Sequence, residues 1–349
     1  MKKLLCALGL ALAATAPAFA AEEVLRASGR QELAGYTGDL DHLAYDLAGD
    51  RLWLAAEDHG TIDSFELRSL KPLASVPGVV FTPHSILHVP GKGRLIVTDT
   101  GGDMQTRILD AKTLRPTGNV RLAAPGADAF GLDPSSGFLY IVNGGRDARL
   151  AQTYISVLDP VTLERHGDLR FDTDKVESVA IESHGTRMYI TVTGRNEVVV
   201  ADKTTLAVLA TWPVREAQQS APLAFDEPGR RLFVIARKPG TLIVLDADSG
   251  RTVASFPAPA RCDQVLWDAA NRRVYALGGD GTIGVWVEVD KDHYTALPRI
   301  ASAQGAKTGI LVPELGQMIV GVSAGEGGKG GAILRYDVLP AMAATGASR

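Results

Sequence analysis

The sequence is poor in cysteine. Its 349 residues include two, Cys6 and Cys262. Cys6 lies in a segment with the pattern of a cleaved export signal, so only Cys262 is expected in the mature chain. An intramolecular disulfide is therefore excluded there, even in an oxidising compartment. Stability has to come from a packed core, which a chain of this length can build.

Long apolar runs are also missing. The apolar segment at residues 4–14 follows Lys2 and Lys3 and precedes an A-x-A cleavage pattern at residues 18–20. It is too short to span a bilayer comfortably, and no later run approaches the roughly 20 residues that a span needs. We therefore predict a signal peptide over residues 1–20, export to the periplasm and no membrane span in the mature chain.

The chain has no excess of positive charge. It contains 36 lysines and arginines against 40 aspartates and glutamates. Removal of Lys2 and Lys3 with the signal peptide leaves 34 against 40, a net charge of −6. General nucleic-acid binders draw most of their affinity from phosphate neutralisation. Nucleic acid is therefore not an expected partner.

The sequence does contain a repeat. Each unit has an apolar strand, a turn, a second apolar strand that often begins Arg-Leu-aromatic, and a third strand. The aligned turn residues are Asp46, Val89, Asp133, Glu182, Asp226, Asp268 and Val312. Their spacings of 43, 44, 49, 44, 42 and 44 residues are typical of a β-propeller. The mature chain shows no convincing 3.6-residue period, so almost no helix is expected.

The seventh unit is one strand short. After the apolar strand at residues 332–336 the chain reaches Pro340, whereas residues 23–32 precede the first unit and have no unit of their own. We predict that this N-terminal strand forms the outer edge of the last blade and closes the ring. The predicted fold is all-β, with one seven-bladed β-propeller of four antiparallel strands per blade over residues 21–340. A frayed tail is expected at residues 341–349.

The fifth unit resembles a known repeat. Its segments at residues 222–225 (PLAF), 229–234 (GRRLFV) and 240–246 (GTLIVLD) resemble the YVTN-type repeat of the YVTN/WD-like superfamily. Exported bacterial propellers of this superfamily are similar over residues 22–340. The superfamily includes lactonase-like enzymes, ligand binders and proteins without known activity, so the resemblance implies a fold rather than a reaction.

One position of the repeat is ionisable in six of the seven units. Five residues before the aligned turn residues stand Asp41, His84, Asp128, Glu177, Ala221, Asp263 and Lys307. At the start of each innermost strand, these residues would surround one mouth of the central channel. His42, beside Asp41, is the histidine expected to pair with His84 from the adjacent blade. Unpartnered buried carboxylates would cost several kcal/mol each, so the mouth is expected to be wet or filled with ions.

Three interpretations of these residues are open. Carboxylates with a histidine suit a hard divalent cation such as Ca²⁺ or Mg²⁺. The same groups could bind a cationic or polyhydroxylated ligand, while Lys307 and the nearby Arg261 offset part of the negative charge or orient an anion. They could also be hydrated polar residues that tie the blades together.

Matches to short catalytic motifs are weak. Residues 321–325 fit G-x-S-x-G around Ser323, but no helix is predicted to follow, as a nucleophile elbow requires. Gly328 and Lys329 lack the Ser/Thr and the helix of a phosphate-binding loop. Cys262 has no specified base beside it and is expected to be a lone small apolar residue near the channel. C-x-x-C-H is absent, which excludes covalent haem.

Two functions are compatible with these observations. The first is a periplasmic module without catalytic activity, which presents its channel mouth and loops to a small molecule or a periplasmic protein. The long third unit, with an insertion around residues 144–149, favours this function because loops on rigid scaffolds often carry binding sites. The second is a metal-assisted hydrolase resembling the propeller lactonases. In it, Asp41, His84, Asp128, Glu177 and Asp263 would supply metal ligands and a general base, an analogy that rests on fold alone.

Overall fold

The computed structural model describes residues 23–341. This part of the chain contains 31 strands and one short 3-10 turn at Pro313–Leu315, as the lack of a helical period predicts. The predicted signal peptide and residues 342–349 of the predicted tail lie outside the described residues. No helix in the described range is long and apolar enough to cross a membrane.

Most blades consist of four consecutive strands that pair antiparallel in sequence order. Two strands precede the first blade, β1 (Leu25–Glu32) and β2 (Thr37–Gly38). The strands of blades one to three are β3 (Leu43–Asp46), β4 (Arg51–Ala56), β5 (Thr61–Glu66), β6 (Pro72–Pro77), β7 (Pro83–Val89), β8 (Arg94–Asp99), β9 (Thr106–Asp110), β10 (Pro116–Val120), β11 (Ala127–Leu132), β12 (Leu139–Gly144), β13 (Thr153–Leu158) and β14 (Arg165–Phe171).

The next three blades follow the same plan. Their strands are β15 (Ser178–Ile181), β16 (Arg187–Val192), β17 (Glu197–Asp202), β18 (Val208–Pro213), β19 (Gln218–Asp226), β20 (Arg231–Lys238), β21 (Gly240–Asp246), β22 (Thr252–Pro257), β23 (Cys262–Asp268), β24 (Arg273–Gly278), β25 (Asp280–Asp290), β26 (His293–Ala296) and β27 (Ile300–Gln304). In blade six, β26 and β27 pair with opposite halves of β25. Pro298 lies between them, and proline interrupts a strand because it has no N–H to donate.

The last blade is completed by the N-terminus, as predicted. It contains β28 (Thr308–Val312), β29 (Gln317–Ser323), a small inserted strand β30 (Gly325–Lys329) and β31 (Gly331–Val338). Strand β1 pairs antiparallel with β31 from Leu25 opposite Val338 to Glu32 opposite Ala332. The N-terminal strand therefore satisfies the outer edge of β31 and closes the ring.

The core lies between the blades. Within residues 23–341, seven apolar clusters each join two adjacent blades, including blades seven and one. Alternate residues of one strand contribute to different clusters because strand side chains point to opposite faces. In β4, Leu52 and Leu54 pack towards blade seven, and Trp53 packs towards blade two. Each sheet is thus buried on both faces.

The innermost strands set the position of the candidate functional site. Strands β3, β7, β11, β15, β19, β23 and β28 contact one another in a closed circle around the central channel. All seven run in the same direction along the channel, so their first residues meet at one mouth. Residues at the same position in each repeat become neighbours there.

Removal of a side chain from the closing interface should weaken the whole ring. Ile319 of β29 is fully buried in the cluster between blades seven and one. We expect Ile319→Ala to lower the free energy of unfolding by about 2–5 kcal/mol, because it removes apolar contacts and leaves a cavity. Urea denaturation measures this loss. Leu209→Ala, on the outer strand of blade four where the side chain is 54% exposed, is the control. Equal stability of the two variants would contradict the prediction.

Candidate functional site: the charged channel mouth

The mouth at the start of the inner strands is an open cavity of about 920 Å³. Every predicted site residue lines it, namely Asp41, His42, His84, Asp128, Glu177, Asp263 and Lys307. Ala221, the non-ionisable member of the repeat position, is fully buried. The repeat therefore brings together residues that are far apart in the sequence.

The first part of the mouth is centred on His84. Its Nδ1 lies 2.7 Å from Asp41 Oδ2 and 3.8 Å from Asp128 Oδ1. Its Nε2 lies 2.8 Å from the hydroxyl oxygen of Thr100. His42 Nε2 is 3.5 Å from the other Asp41 oxygen. His84 thus links the carboxylates of blades one and three.

The ion pairs continue through blades four to six. Lys175 Nζ lies 3.1 Å from Asp128 Oδ2 and 3.7 Å from Glu177 Oε1. Arg237 Nη1 lies 3.2 Å from the same Glu177 oxygen, and Nη2 donates to Asp263 Oδ1 over 2.6 Å. Positive and negative groups therefore alternate along this side of the mouth.

Lys307 is the last cation of this series. Its Nζ is 3.0 Å from Asp263 Oδ2 and 2.7 Å from Asp39 Oδ2, which returns the chain of contacts to blade one. We call this set the charge ring: Asp39, Asp41, His84, Asp128, Lys175, Glu177, Arg237, Asp263 and Lys307. Its side chains are between 12% and 33% exposed, so they are held by their partners but can still be reached from the cavity.

Sequence reasoning missed several charged residues of the mouth. Lys175 precedes Glu177 by two residues, and Asp39 precedes Asp41 by two. Arg237 lies on β20, the second strand of blade five, and supplies the charge that Ala221 does not. Arg261 does not take the predicted role, because its guanidinium hydrogen-bonds the carbonyl oxygen of Gly279. Arg237 bridges the carboxylates instead.

A second position of the repeat could have identified Arg237. Eleven residues after the aligned turn residues stand Glu57, Thr100, Gly144, Thr193, Arg237, Gly279 and Ser323. Four of them, Glu57, Thr100, Thr193 and Arg237, line the mouth. A second circle of residues therefore lies beside the first.

Threonine hydroxyls fix the backbone of the first circle. Thr98 Oγ1 donates to the carbonyl of Asp128 over 2.6 Å, and Thr308 Oγ1 donates to that of Asp41 over 3.0 Å. Thr191 Oγ1 makes the same contact with Ala221 over 2.6 Å. Each bond joins one blade to the next, so the charged side chains start from fixed backbone positions.

The ring holds a proton on His84. Burial alone would lower the pKa of His84, but the carboxylates of Asp128 and Asp41 outweigh it and raise that pKa to about 10. Burial would raise the pKa of Asp41, whereas His42 and His84 lower it to about 2. At neutral pH this part of the mouth therefore contains an imidazolium and two carboxylates.

The protonated state of His84 limits its chemistry. The order Asp41, His84, Thr100 follows that of a nucleophile triad. However, a base has to accept the nucleophile's proton, and an imidazolium with a pKa of about 10 cannot do so near neutral pH. Nε2 instead donates to the Thr100 oxygen.

The fit of the mouth to a metal ion is partial. Ligand atoms of Asp41, His84 and Asp128 lie within 4.8 Å of one another, so these three could hold an ion together if His84 lost its proton. Glu177 and Asp263 do not join this group, because both bind Arg237. The five residues expected to serve a hydrolase are thus divided between two parts of the ring.

The other motif residues lie outside the cavity lining. Ser323 Oγ is 2.8 Å from the backbone nitrogen of Leu40, and strand β30 follows it in place of a helix. Cys262 is fully buried, with Sγ 3.2 Å from the carbonyl oxygen of Pro259. His59 and His166 stack on Tyr36 and Phe138.

The proton on His84 should make stability depend on pH. In the folded chain His84 keeps its proton up to about pH 10, whereas in the unfolded chain it loses the proton near the ordinary histidine pKa of 6.5. The stabilisation that the His84 proton provides is therefore complete below about pH 6.5 and is lost as the pH rises to about 10.

We expect urea denaturation to show that the free energy of unfolding falls by an amount on the order of 1–3 kcal/mol over this pH range, and that this fall is absent in His84→Gln. His166→Gln, an exposed control, should retain the wild-type slope, and an equal slope in His84→Gln would contradict the assignment.

The thiol of Cys262 should be inert in the folded protein. Burial, with the nearby carboxylates of Asp280 and Asp263, raises its pKa to about 12, and only the thiolate reacts readily. In a chain that begins at Ala21, we expect no labelling by a disulfide reagent under native conditions and complete labelling in denaturant. Rapid labelling of the folded protein would show that this site is open.

Comparisons with known proteins leave the function to be argued from these residues. No family model matches the chain, and a search of curated proteins also finds no significant match, so the resemblance to the YVTN-type repeat stays a prediction. A β-propeller by itself does not specify a function. The geometry and charges of the mouth are therefore the basis for a proposal.

Proposed function

We propose that the protein is an exported, non-enzymatic binding module that holds a small polar or charged ligand in its channel mouth. The observation that carries this proposal is the charge ring around an open cavity. From Asp41 round to Asp39 its groups alternate in sign, and they remain partly exposed. A ligand placed in the cavity would meet donors and acceptors from all sides.

The size of the mouth supports a small-molecule ligand. Its volume of about 920 Å³ lies within the range of about 300–1,000 Å³ that is typical of small-molecule sites. The lining is mainly polar, which favours a charged or polyhydroxylated compound over an apolar one. Residues from all seven blades contribute to this lining.

The rigidity of the mouth also supports binding. Binding loses free energy when flexible side chains have to be ordered. Here Arg237 is already held by Glu177 and Asp263, and Lys307 by Asp39 and Asp263. Folding has therefore already ordered these side chains before a ligand arrives.

Blocking the mouth should abolish ligand binding. We test four compounds, the cation putrescine, the zwitterion glycine, the anion glutarate and the polyol glucose. We expect at least one of them to bind with 1:1 stoichiometry in isothermal titration calorimetry. Gln219 lines the mouth without belonging to the charge ring, so Gln219→Trp should weaken binding at least about tenfold by filling the cavity.

The matched control is Leu209→Trp on the outer strand of blade four. Because Leu209 is 54% exposed and lies outside the mouth lining, this variant should bind as the wild type does. Equal binding by Gln219→Trp would mean that the ligand binds elsewhere, and no binding by any class would count against a small-molecule function.

A metal-assisted hydrolase is the second candidate, because Asp41, His84 and Asp128 approach one another closely. A bound ion would supply Lewis-acid activation of water or of an ester carbonyl. Metal content of the purified protein, thermal shifts with Ca²⁺, Mg²⁺, Mn²⁺ and Zn²⁺, and lactone hydrolysis separate the two functions. Metal binding and hydrolysis that are both lost in Asp128→Asn would favour the hydrolase over the binding module.

A further inference from the structure

Glu57 differs from the other residues at its position in the repeat. It directly follows β4 and lines the mouth. Among the residues at the second repeat position, two are glycines, and four others have side-chain partners. Thr100 contacts His84, Thr193 donates to the carbonyl of Ser220, Arg237 binds two carboxylates and Ser323 contacts Leu40.

The backbone carbonyl of Glu57 accepts from the Gly60 nitrogen, but its carboxylate makes no hydrogen bond or ion pair with any residue in the range 23–341. The cations that affect it are His84 and Lys307. His84 already contacts Asp41 and Thr100, and Lys307 already binds Asp39 and Asp263. Glu57 is therefore a mouth carboxylate whose oxygens are left for a group from outside the chain.

The surroundings of Glu57 make its negative charge costly. Burial and the nearby carboxylate of Asp41 raise the pKa of Glu57 to about 7, despite the opposing effect of His84 and Lys307. A positive group placed against Glu57 would compensate for this cost. An uncharged or negative group would not.

We propose that Glu57 binds the protonated amine or guanidinium group of the ligand held in the mouth. This inference rests on the proposed function and narrows it to cationic organic ligands. The contact is a charge-assisted hydrogen bond from the ligand nitrogen to the Glu57 carboxylate. The rest of the ligand lies in the cavity beside the charge ring.

An organic cation fits Glu57 better than a metal ion does. A hard metal ion such as Ca²⁺ takes six to eight oxygen ligands. The carboxylate with the strongest effect on Glu57, that of Asp41, is already bonded to His84 and contacts His42. One carboxylate with free oxygens is sufficient for an ammonium or guanidinium group.

The test is calorimetric titration of the full mature chain with putrescine and agmatine at neutral pH. We expect each probe to bind once and to bind at least about tenfold more weakly to Glu57→Gln. Since Glu57 has no partner to lose, the variant should be as stable as the wild type or slightly more stable, which urea denaturation verifies. Glu164→Gln is the matched control, because Glu164 is exposed and lies outside the mouth lining.

Each alternative outcome is distinguishable. Equal binding of the amines by wild type and Glu57→Gln overturns the inference. Binding of glutarate, glucose or Ca²⁺ in place of the amines also overturns it. If glutarate or glucose binding is lost in Gln219→Trp, the proposed function survives without the cationic ligand. Failure of every probe to bind counts against both.

Discussion

The structure depends on closure of the ring. Each blade is apolar on both faces, so it buries its core only when a neighbour covers each side. Blades seven and one complete this arrangement through their shared cluster, while β1 satisfies the edge of β31. Within the described residues no disulfide contributes, because Cys262 is a free, buried thiol. Closure also forces seven inner strands into one circle, and that circle determines which side chains can meet at the mouth.

Alternation of charge is how the mouth accommodates so many ionisable groups. Carboxylates from blades one, three, four and six would repel one another if they met alone, but His84, Lys175, Arg237 and Lys307 separate them. Buried ion pairs add little net stability, because desolvation offsets much of the attraction. The main effect of the charge ring is therefore to fix the positions of its charged side chains rather than to stabilise the fold. Glu57 is the exception, because its carboxylate has no hydrogen-bond or ion-pair partner among residues 23–341. Exceptions of this kind tend to mark functional sites.

The sequence predicted the architecture and many of the residues that line the channel mouth. The repeat predicted seven blades and the borrowed N-terminal strand, because strand patterning and turn spacing are local properties of the chain. The same repeat selected Asp41, His84 and Lys307, because equivalent positions in equivalent blades face the same channel. Arg237 was not predicted, because it lies on a second strand, where apolar residues dominate the pattern. Arg261 was expected near the carboxylates, but its backbone position directs it to the carbonyl of Gly279.

The amino-acid sequence by itself determined the number of blades and the ionisable residues that surround one mouth, since both follow from periodicity. Only the tertiary structure decided which of those residues pair. Lys307 meets Asp39 across 268 positions of sequence, and such contacts depend on the closed ring rather than on local pattern. The protonation of His84 and the missing partner of Glu57 were decided in the same way, because each depends on distances and burial that exist only after the blades assemble.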